Sequence, residues 1–384
     1  MKKKIVIVGQ SLSGGGTEIA LTEFINHLNI NRFDVTLLLV DKNKDFINRI
    51  KRKVKIKYLV FDTNLYHNLV SMNSLEGKII KKATLNKKLK IYNKVLDHIN
   101  SSVFNYEYDL AVDFYGYGSF TTAIVAKKIK ALKKATWIHD SKMPWIKNID
   151  DYLSDYDKVF CVSKTIKRVF DNLYPRFNKK SEVFYNFVDT TSILYKAQEF
   201  IPKEFNKKNF NIISVGRLTE QKGFDIALKA AYILKKKNFD FRWFVIGDGK
   251  DKKKLNRQRR KLKLENNFFF LGNKANPYPY IKNADLFVLP SRHEGYGLAT
   301  LEARILKKLI IVSDLPVSRE QIKNEKNGLM CKLNELDLSN CILKAYYDSI
   351  LREKIEANLN KEEINFDSEI EKLEQLLNNK EQYL

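Results

Sequence analysis

Residues 284–303 read ADLFVLPSRHEGYGLATLEA, a short apolar run followed by a glycine-containing loop and a helical pattern. The run LFVL at 286–289 predicts a buried strand that the following proline ends. Glu294 lies in the loop, and Glu302 lies eight residues later, inside the helix. Gly295 and Gly297 let a ligand approach the backbone, and the free N–H groups of a helix start can bind phosphate. The stretch therefore predicts a strand, loop and helix with a ligand at the loop.

The two glutamates have structural as well as functional interpretations. A carboxylate in the loop can accept hydrogen bonds from sugar hydroxyls. Glu302, further along the helix, could reach the hydroxyls of a ribose. The alternative is an ordinary capped helix with Glu302 on its exposed side. The neighbours Leu301 and Ala303 leave that alternative open.

Apolar runs of this kind alternate with helical patterns along the whole chain. The first half contains KIVIV, DVTLLLV, DLAVDF, ATWIH and KVFCVS, and the second contains NIISVG, RWFVIG, NFFFLG, LFVLP and LIIVS. Strands rich in Val, Ile and Phe and separated by helices indicate parallel sheets covered on both faces. Two such series indicate an α/β protein with two doubly wound domains, each binding ligands at the carboxyl ends of its strands.

The length of 384 residues suits two domains with separate cores. An irregular stretch at 186–210 separates the two series of strands. We therefore expect domains at residues 1–190 and 191–365. A final polar helix at 366–384 could pack back on the first domain.

The chain is strongly basic, with a formal net charge of +24. Such a surplus favours an anionic partner, either nucleic acid, acidic lipid or a phosphorylated substrate. An AT-rich genome would also enrich Lys, Asn and Ile throughout, so part of the charge has no functional meaning.

The cysteines and the N-terminus bear on the compartment. Cys161, Cys331 and Cys341 form no C-x-x-C pair, which argues against a disulfide framework and a structural zinc site. The apolar run in MKKKIVIVGQ is too short for a signal peptide, and no stretch approaches the length of a membrane span. We expect a cytoplasmic protein, or one that is peripheral on the inner face of the membrane.

One helical pattern concerns the membrane directly. An apolar stripe at helical spacing is formed by Leu85, Leu89, Tyr92, Leu96 and Ile99, with Lys87, Lys90 and Lys94 on the opposite side. The simplest interpretation is a packing helix with a solvated basic face. The basic face could also rest on acidic lipid headgroups.

A glycine triplet, Gly14, Gly15 and Gly16, lies between the first strand and a helical pattern that begins near Thr17. It fits neither the G-x-G-x-x-G dinucleotide fingerprint nor the P-loop ending G-K-[ST]. What remains is a turn whose N–H groups can bind an anion at a helix start. The alternative is a loop that needs glycine for positive φ alone.

The second series begins with SVGRLTEQKGFDIALKA. Gly216 lets the chain turn off the strand, Arg217 follows at its carboxyl end, and Lys222 precedes the next helix. An Arg and a Lys beside one helix start can bind a diphosphate together. The guanidinium donates two parallel hydrogen bonds, and the ammonium acts as a point charge. The alternative is two solvated cations among many.

The second half resembles a known enzyme family. RLTEQKGFDIALKA, FVIGDG and NPYPYIKNADLFVLPSRHEGYGLATLEA are similar to the C-terminal half of the retaining glycosyltransferases of family GT4. SGGGTE, WIHD, KVFCVSKTIKRVF and YNFVD stand in family-like order in the first half. The resemblance implies a GT-B fold, with two Rossmann-like domains facing each other across a deep cleft. The first would bind the acceptor and the second the nucleotide sugar.

The resemblance also implies roles for single residues. Arg217 and Lys222 would hold the donor diphosphate, Glu294 the donor sugar and Glu302 the ribose. His139 would face the reacting sugar, with Asp140 a weaker candidate. Without the family, His139 would be an ordinary, partly buried histidine. Backbone groups or side chains near the nucleotide would come from Gly14, Gly15, Gly16, Gly216, Leu271, Gly272, Asn273, Lys274, Tyr296, Gly297 and Leu298.

The implied reaction moves a sugar from a nucleotide-diphosphate sugar, UDP-linked by preference, to a hydroxyl of a glycan or lipid-linked acceptor in bacterial surface polysaccharide synthesis. The anomeric configuration would be retained. No cofactor or metal is expected, because cations of the protein face the leaving diphosphate. Asp155 and Asp157 spell D-x-D, but they precede the strand KVFCV, at the end where open sheets do not bind ligands.

Two alternatives remain. A nucleotide-sugar epimerase could share the fold, and it would convert the donor without an acceptor. A basic protein that binds nucleic acid or an acidic surface is the other, but the basic residues are dispersed and no nucleic-acid motif is present. We therefore expect no nucleic-acid partner.

Overall fold

The computed structural model describes residues 1–13, 15–42, 45–61, 92–93, 96–97, 99–116, 120–143, 146, 151–206 and 208–378. The chain forms two compact units, one of Met1–Phe187 with Phe366–Leu384 and one of Val188–Asn365. Most of the predicted stripe at 85–99, and Gly14, lie outside the described residues.

The first unit is built on a parallel sheet with the strand order β3-β2-β1-β6-β7-β8-β9. A separate antiparallel pair is formed by β4 and β5. The strands are β1 Lys3–Gly9, β2 Phe33–Leu39, β3 Lys55–Tyr58, β4 Val60–Phe61, β5 Ile99–Asn100, β6 Glu107–Asp113, β7 Lys130–Ile138, β8 Lys158–Cys161 and β9 Ser181–Val183. The α-helices of seven or more residues that the structure describes before the second unit are α1 Gly16–His27, α2 Phe120–Lys127 and α3 Lys164–Leu173.

The second unit is also built on a parallel sheet, with the order β12-β11-β10-β13-β14-β15. Its strands are β10 Phe210–Val215, β11 Phe241–Ile246, β12 Phe268–Gly272, β13 Leu286–Leu289, β14 Ile310–Ser313 and β15 Leu329–Cys331. Its helices are α4 Thr190–Lys196, α5 Phe224–Lys236, α6 Lys252–Lys261, α7 Tyr278–Asn283, α8 Leu298–Ile305, α9 Ser318–Gln321, α10 Glu335–Tyr347 and α11 Ser349–Lys361. The two-domain α/β architecture predicted from the alternating pattern is confirmed.

The central strands are apolar on both faces because helices cover both faces of a parallel sheet. In β1 the side chains of residues 5–8 are fully buried, and so are those of Leu37, Leu38 and Leu39 in β2. In β13 residues 286–288 are fully buried as well. Burial of such runs supplies most of the stability of each unit.

The order of the strands in each sheet reverses at one point. In the first unit the order reverses between β1 and β6, and in the second it reverses between β10 and β13. The loops that follow the two flanking strands then diverge to opposite faces and leave a crevice, where open α/β sheets bind ligands. This places the important loops of the second unit after β10 and β13.

Three strands of the two large sheets escape prediction from the sequence, namely β3, β9 and β15, and so do the two short strands of the β4–β5 ribbon. The strands β3, β9 and β15 lie at edges of their sheets and are only three or four residues long. Polar residues interrupt β3 and β9, and β15, although apolar, is too short to stand out as a run. The stripe at 85–99 also needs correction at its end, because Ile99 pairs with Phe61 in the β4–β5 ribbon and is not helical.

The last helix, α12 Asp367–Asn378, belongs to the first unit. Its Glu369 is 3% exposed and accepts a hydrogen bond from the backbone N–H of Tyr185 at 3.0 Å. Leu373 is fully buried, and the ring of Phe366 contacts that of Phe187. The first unit is therefore completed by residues that follow the second unit in sequence. No helix in the described part of the chain is long and apolar enough to cross a membrane.

Candidate functional site

Two loops lie at the switch point of the second sheet. The β10 loop comprises residues 216–223 and the β13 loop comprises residues 290–297. They follow adjacent parallel strands, whose register pairs Ile212 with Leu286 and Ile213 with Phe287. Because the strands are parallel, both loops leave the same edge of the sheet.

The backbones of the two loops approach each other at Gly223. This residue has φ 67° and ψ 23°, in the left-handed region that favours glycine. A Cβ added there would lie 1.9 Å from the carbonyl oxygen of Pro290. Both the conformation and the space therefore require glycine at this position.

The side chains of Lys222 and Glu294 also join the two loops. The Nζ of Lys222 lies 2.6 Å from Oε1 of Glu294, and the two side chains are 15% and 10% exposed. Ser291 donates a second hydrogen bond to the same oxygen at 2.6 Å. The stem of Lys222 packs on Gly216, where an added Cβ would lie 3.4 Å from three of its carbons. The sequence-predicted cation and carboxylate are thus brought together in a largely shielded place.

Arg217 provides a second cation at the same edge. It is exposed, and its side chain makes no hydrogen bond or ion pair with the described residues. Its neighbour Leu218 is fully buried and donates its N–H to the carbonyl of Asp248, so the backbone beneath the guanidinium is anchored. Arg217 is therefore available to an anionic ligand.

A further ion pair is formed by residues that lie close in sequence to Lys222 and Glu294. Arg292 contacts both carboxylate oxygens of Asp225 at 2.7 Å, in the first turn of α5. Burial raises the pKa of Asp225, but the hydrogen bonds and the charge of Arg292 outweigh it, so this pKa lies below its ordinary value. Asp225 is therefore ionised at neutral pH.

The N-terminus of α8 forms another part of the site. Gly297 caps the helix with φ 86° and ψ 58°, and Leu298 is the first helical residue. The side-chain amide of Gln321 donates to the carbonyls of Tyr296 and Gly297. This fixes the turn before the helix, whose first N–H groups have no partner within the helix and favour an anion.

Glu302 is buried rather than exposed, which excludes the interpretation of an outward-facing glutamate. Its exposed fraction is 8%, and Oε1 accepts a hydrogen bond from the hydroxyl of Tyr278 at 3.2 Å. A buried carboxylate is costly unless it is hydrogen-bonded or binds a ligand. Its place on α8 after Gly297 is compatible with ribose binding.

Residues 271–274 lie at the end of β12, the edge strand, two positions from β10 in the sheet. Gly272 has φ 69°, and Asn273 is exposed. The ammonium of Lys274 lies 3.6 Å from a carboxylate oxygen of Glu204 and 5.5 Å from the ring centre of Tyr280. The side chain of Lys274 is thus engaged within the second unit, which leaves the backbone as the part best able to border a nucleobase.

The glycine loop of the first unit follows β1, also at a switch point. Gly15 has φ −145° and ψ 173°, an extended conformation that any residue adopts. A Cβ added to Gly16 would meet nothing within 4 Å. Gly16 has no positive φ either, so the explanation that these glycines serve positive φ is wrong for both. The carboxylate of Glu18 folds back to Gly15, where it would lie 2.3 Å from an added Cβ, so α1 already has an acid at its N-terminus.

His139 follows β7 in the first unit. Its Nε2 donates to the carbonyl of Phe114 at 2.9 Å, which fixes the tautomer because a carbonyl can only accept. Burial lowers the pKa of His139 to about 4, although the hydrogen bond to Phe114 opposes the shift. The imidazole is therefore neutral at physiological pH. Asp140, next in sequence, accepts a hydrogen bond from the N–H of Lys142.

Asp155 and Asp157 lie before β8, as the sequence predicts. Asp155 pairs with Lys127 at 2.6 Å, and Asp157 pairs with Lys133 at 3.2 Å. Both carboxylates are thus engaged in ion pairs at the amino end of the sheet.

Several residues of the site were not predicted from the sequence. Ser291 could have been found from its place directly after the strand and Pro290. Arg292, Asp225 and Gln321 carry no local signal, because each acts through a partner distant in sequence.

Comparison with known proteins identifies the second unit. Residues 196–362 match the family described as Glycosyl transferases group 1. This part of the chain is similar to the group 1 glycosyltransferases. This confirms the resemblance of the second half to that class of enzyme.

The relatives and solved structures agree with this assignment. The O-antigen biosynthesis glycosyltransferase WclY of Escherichia coli is 25% identical and covers 83% of this chain and 82% of its own. An N,N'-diacetylbacillosaminyl-diphospho-undecaprenol alpha-1,3-N-acetylgalactosaminyltransferase of Campylobacter jejuni is 32% identical over 44% of this chain and 45% of its own.

Among solved structures, HepE of Anabaena in complex with UDP and glucose superposes with a TM-score of 0.72 at 18% identity. The superposition covers 98% of this chain and 100% of the HepE chain. At that identity the likeness concerns the fold, and it confirms the GT-B type of fold expected for a glycosyltransferase of this group.

Proposed function

We propose that the protein is a retaining, GT4-like glycosyltransferase that transfers a sugar from a UDP-sugar to an acceptor hydroxyl. The contact of Lys222 with Glu294 at the switch point carries the proposal, because it sets a cation for the diphosphate beside a carboxylate for the sugar. Arg217 and the N-terminus of α8 add charge stabilisation on the same edge of the sheet. The UDP bound to HepE supports the choice of donor.

In the proposed reaction the bond between the anomeric carbon and the diphosphate oxygen breaks. Negative charge grows on the diphosphate while the sugar becomes oxocarbenium-like. Lys222 and Arg217 stabilise that charge, and preorganised cations of this kind contribute several kcal/mol in a shielded site, about 3–4 kcal/mol for a single donor. The acceptor hydroxyl forms the new bond on the same face, and its proton passes to the leaving diphosphate.

Glu294 positions the sugar and does not attack it. Its Oε1 is occupied by Lys222 and Ser291, an arrangement suited to a fixed hydrogen-bond acceptor. Glu302 is proposed to bind the ribose hydroxyls, and residues 271–274 to border the base. His139, neutral and held by Phe114, is proposed to contact the reacting sugar.

We propose that the diphosphate is neutralised by these cations without a metal ion. Activity should then persist at full rate in EDTA. A loss of activity that Mg²⁺ or Mn²⁺ restores would refute this part of the proposal.

The acceptor is proposed to be a glycan or a lipid-linked glycan of the bacterial cell surface. The names of the Escherichia coli and Campylobacter jejuni relatives support this, since one concerns O-antigen and the other a diphospho-undecaprenol acceptor. The net charge of +24 would favour association with an acidic membrane surface. Sedimentation with acidic but not with neutral vesicles would be expected, and equal behaviour with both would contradict the association.

The donor is tested by thermal shift with UDP-, GDP- and ADP-sugars, because a ligand of the native state raises its apparent stability. We expect UDP-sugars to raise the melting temperature. Transfer is then followed by NMR, which also identifies the anomer formed. A protein that none of these donors stabilises, or one that converts the donor to an epimer without transfer or hydrolysis, would overturn the proposal.

A further inference from the structure

One arginine links the β10 and β13 loops through several contacts. Arg292 donates to the two oxygens of Asp225 at 2.7 Å each, and to the carbonyl of Glu220 at 2.7 Å. Its backbone N–H donates to the carbonyl of Gln221 at 2.7 Å. The side-chain amide of Gln221 donates in return to the carbonyl of His293 at 3.1 Å.

The residues that make these contacts adjoin Lys222 and Glu294, the two side chains to which the transfer reaction is assigned. Glu220 and Gln221 directly precede Lys222, and Arg292 and His293 directly precede Glu294. Each loop is thus attached to the other immediately beside its functional side chain. A movement of one loop relative to the other would have to break the contacts of Arg292 with Glu220 and Gln221, while Asp225, at the start of α5, holds the guanidinium that makes the first of them.

We propose that Arg292 is a positioning residue that sets the place of Glu294 relative to Lys222 through its two-pronged contact with Asp225. The proposal rests on the proposed function, since Glu294 matters here as the ligand of the donor sugar. Arg292 itself need not touch the donor.

The geometry suits this task better than it suits a purely stabilising one. Both side chains are 29% exposed, and partly exposed ion pairs add little to the stability of a protein. A guanidinium with two parallel hydrogen bonds fixes orientation as well as distance, which a lysine cannot do. Small displacements of groups that hold a substrate have large effects on rate, about a hundredfold for 1 Å.

The second unit offers a matched control. Arg304, in the last turn of α8, contacts Glu362 at 3.2 Å through Nε and at 3.0 Å through a terminal nitrogen. The side chains of this pair are 16% and 22% exposed, so it is at least as shielded as the Arg292 pair. It lies at the opposite end of α8 from Gly297.

The test compares R292Q, R292K and D225N with R304Q, in the full chain. The measurements are kcat and KM for the donor found in the thermal-shift screen, the dissociation constant of UDP, and the melting temperature. We expect all three variants at positions 292 and 225 to lower kcat by about ten- to a hundredfold. UDP lacks the donor sugar, so its dissociation constant should stay within about threefold of the wild-type value in these variants. R304Q should keep the kcat of wild type.

The double variant R292Q/D225N should be no slower than the slower single variant, because the two residues share one contact. Equal kcat values for R292Q and R304Q would overturn the positioning role. So would a parallel loss of UDP binding, kcat and melting temperature, which a merely structural role predicts. A wild-type protein inert toward every nucleotide sugar would overturn the proposed function as well, whereas an active R292Q would overturn only the role of Arg292.

Discussion

The ammonium of Lys222 lies 2.6 Å from the carboxylate of Glu294, 72 residues further along the chain. Both side chains are largely shielded from water, so each charge depends on the other. A substitution of one partner therefore alters the other as well. Arg217, exposed and unpaired within the described part of the chain, allows the effect of a cation on the reaction to be separated from its effect on stability.

The first prediction concerns these cations. Arg217→Ala should lower turnover by about 10²–10³-fold and leave the melting temperature unchanged. Lys222→Ala should lower turnover to a similar extent and also lower the melting temperature, because it leaves Glu294 without its cation. Steady-state kinetics and calorimetry would measure both effects.

Lys229→Ala is the control for the two cation variants. Lys229 lies on α5 and pairs with Glu335 at 3.5 Å, with both side chains well exposed. Its turnover should stay within about twofold of wild type. Wild-type rates in both Arg217→Ala and Lys222→Ala would refute their assignment to the diphosphate.

The second prediction separates Glu302 from Glu294. Glu302→Gln should weaken UDP binding by about tenfold and change kcat little, because a ribose contact is the same in the ground state and the transition state. Glu294→Gln should lower kcat by more than it changes UDP binding, since UDP carries no donor sugar and is affected only through the loss of the charge partner of Lys222. Titration calorimetry with UDP and donor kinetics would show the difference. Unchanged UDP affinity in Glu302→Gln would exclude the ribose assignment.

The third prediction concerns the glycine loop of the first unit. Gly16→Leu should leave the melting temperature unchanged, because nothing described lies within 4 Å of an added Cβ. If this space serves the donor, kcat should fall more than KM rises. Gly116→Ala is the contrasting variant. Its added Cβ would lie 2.0 Å from Oγ1 of Thr136 and 2.6 Å from the carbonyl of Trp137, so its melting temperature should fall. Full activity of Gly16→Leu would show that the loop is not part of the site.

The fourth prediction concerns pH. Burial lowers the pKa of His139 to about 4, whereas an unfolded histidine titrates near 6.5. Between these values the unfolded chain binds more protons, so the stability contributed by neutral His139 is present above pH 6.5 and is lost as the pH falls toward 4. His139→Gln removes this titration. The difference in melting temperature between wild type and variant should therefore change between pH 6.5 and 4, and a constant difference would contradict the lowered pKa.

The sequence was sufficient for most of the fold because the central strands are buried on both faces and read as continuous apolar runs. LFVL at 286–289 and NIISV before Gly216 are examples, and both form strands. The strands β3, β9 and β15 were missed because they are short and lie at edges. Ile99 was assigned to a helix by spacing alone, but its pairing with Phe61 decides its conformation, and pairing across that distance leaves no local pattern.

Candidate site residues could be named from the sequence where they follow a strand closely, and the structure brings Lys222 and Glu294 into contact. Lys222 and Glu294 could be named because each stands at a fixed place after an apolar run. The burial of Glu302 depends on Tyr278, and the turn at Gly297 depends on Gln321. Such contacts follow from the tertiary fold, and no spacing rule contains them.

The position of α12 has a consequence for the order in which the protein folds. Domains that emerge from the ribosome generally fold in turn, from the N-terminus onward. Here the first unit includes Phe366–Leu384, while the second unit ends at Asn365. The second unit is thus fully synthesised before α12 of the first, and Leu373 reaches its buried place only after that. Until then, Phe187 lacks the ring contact that Phe366, directly before α12, makes with it in the folded unit.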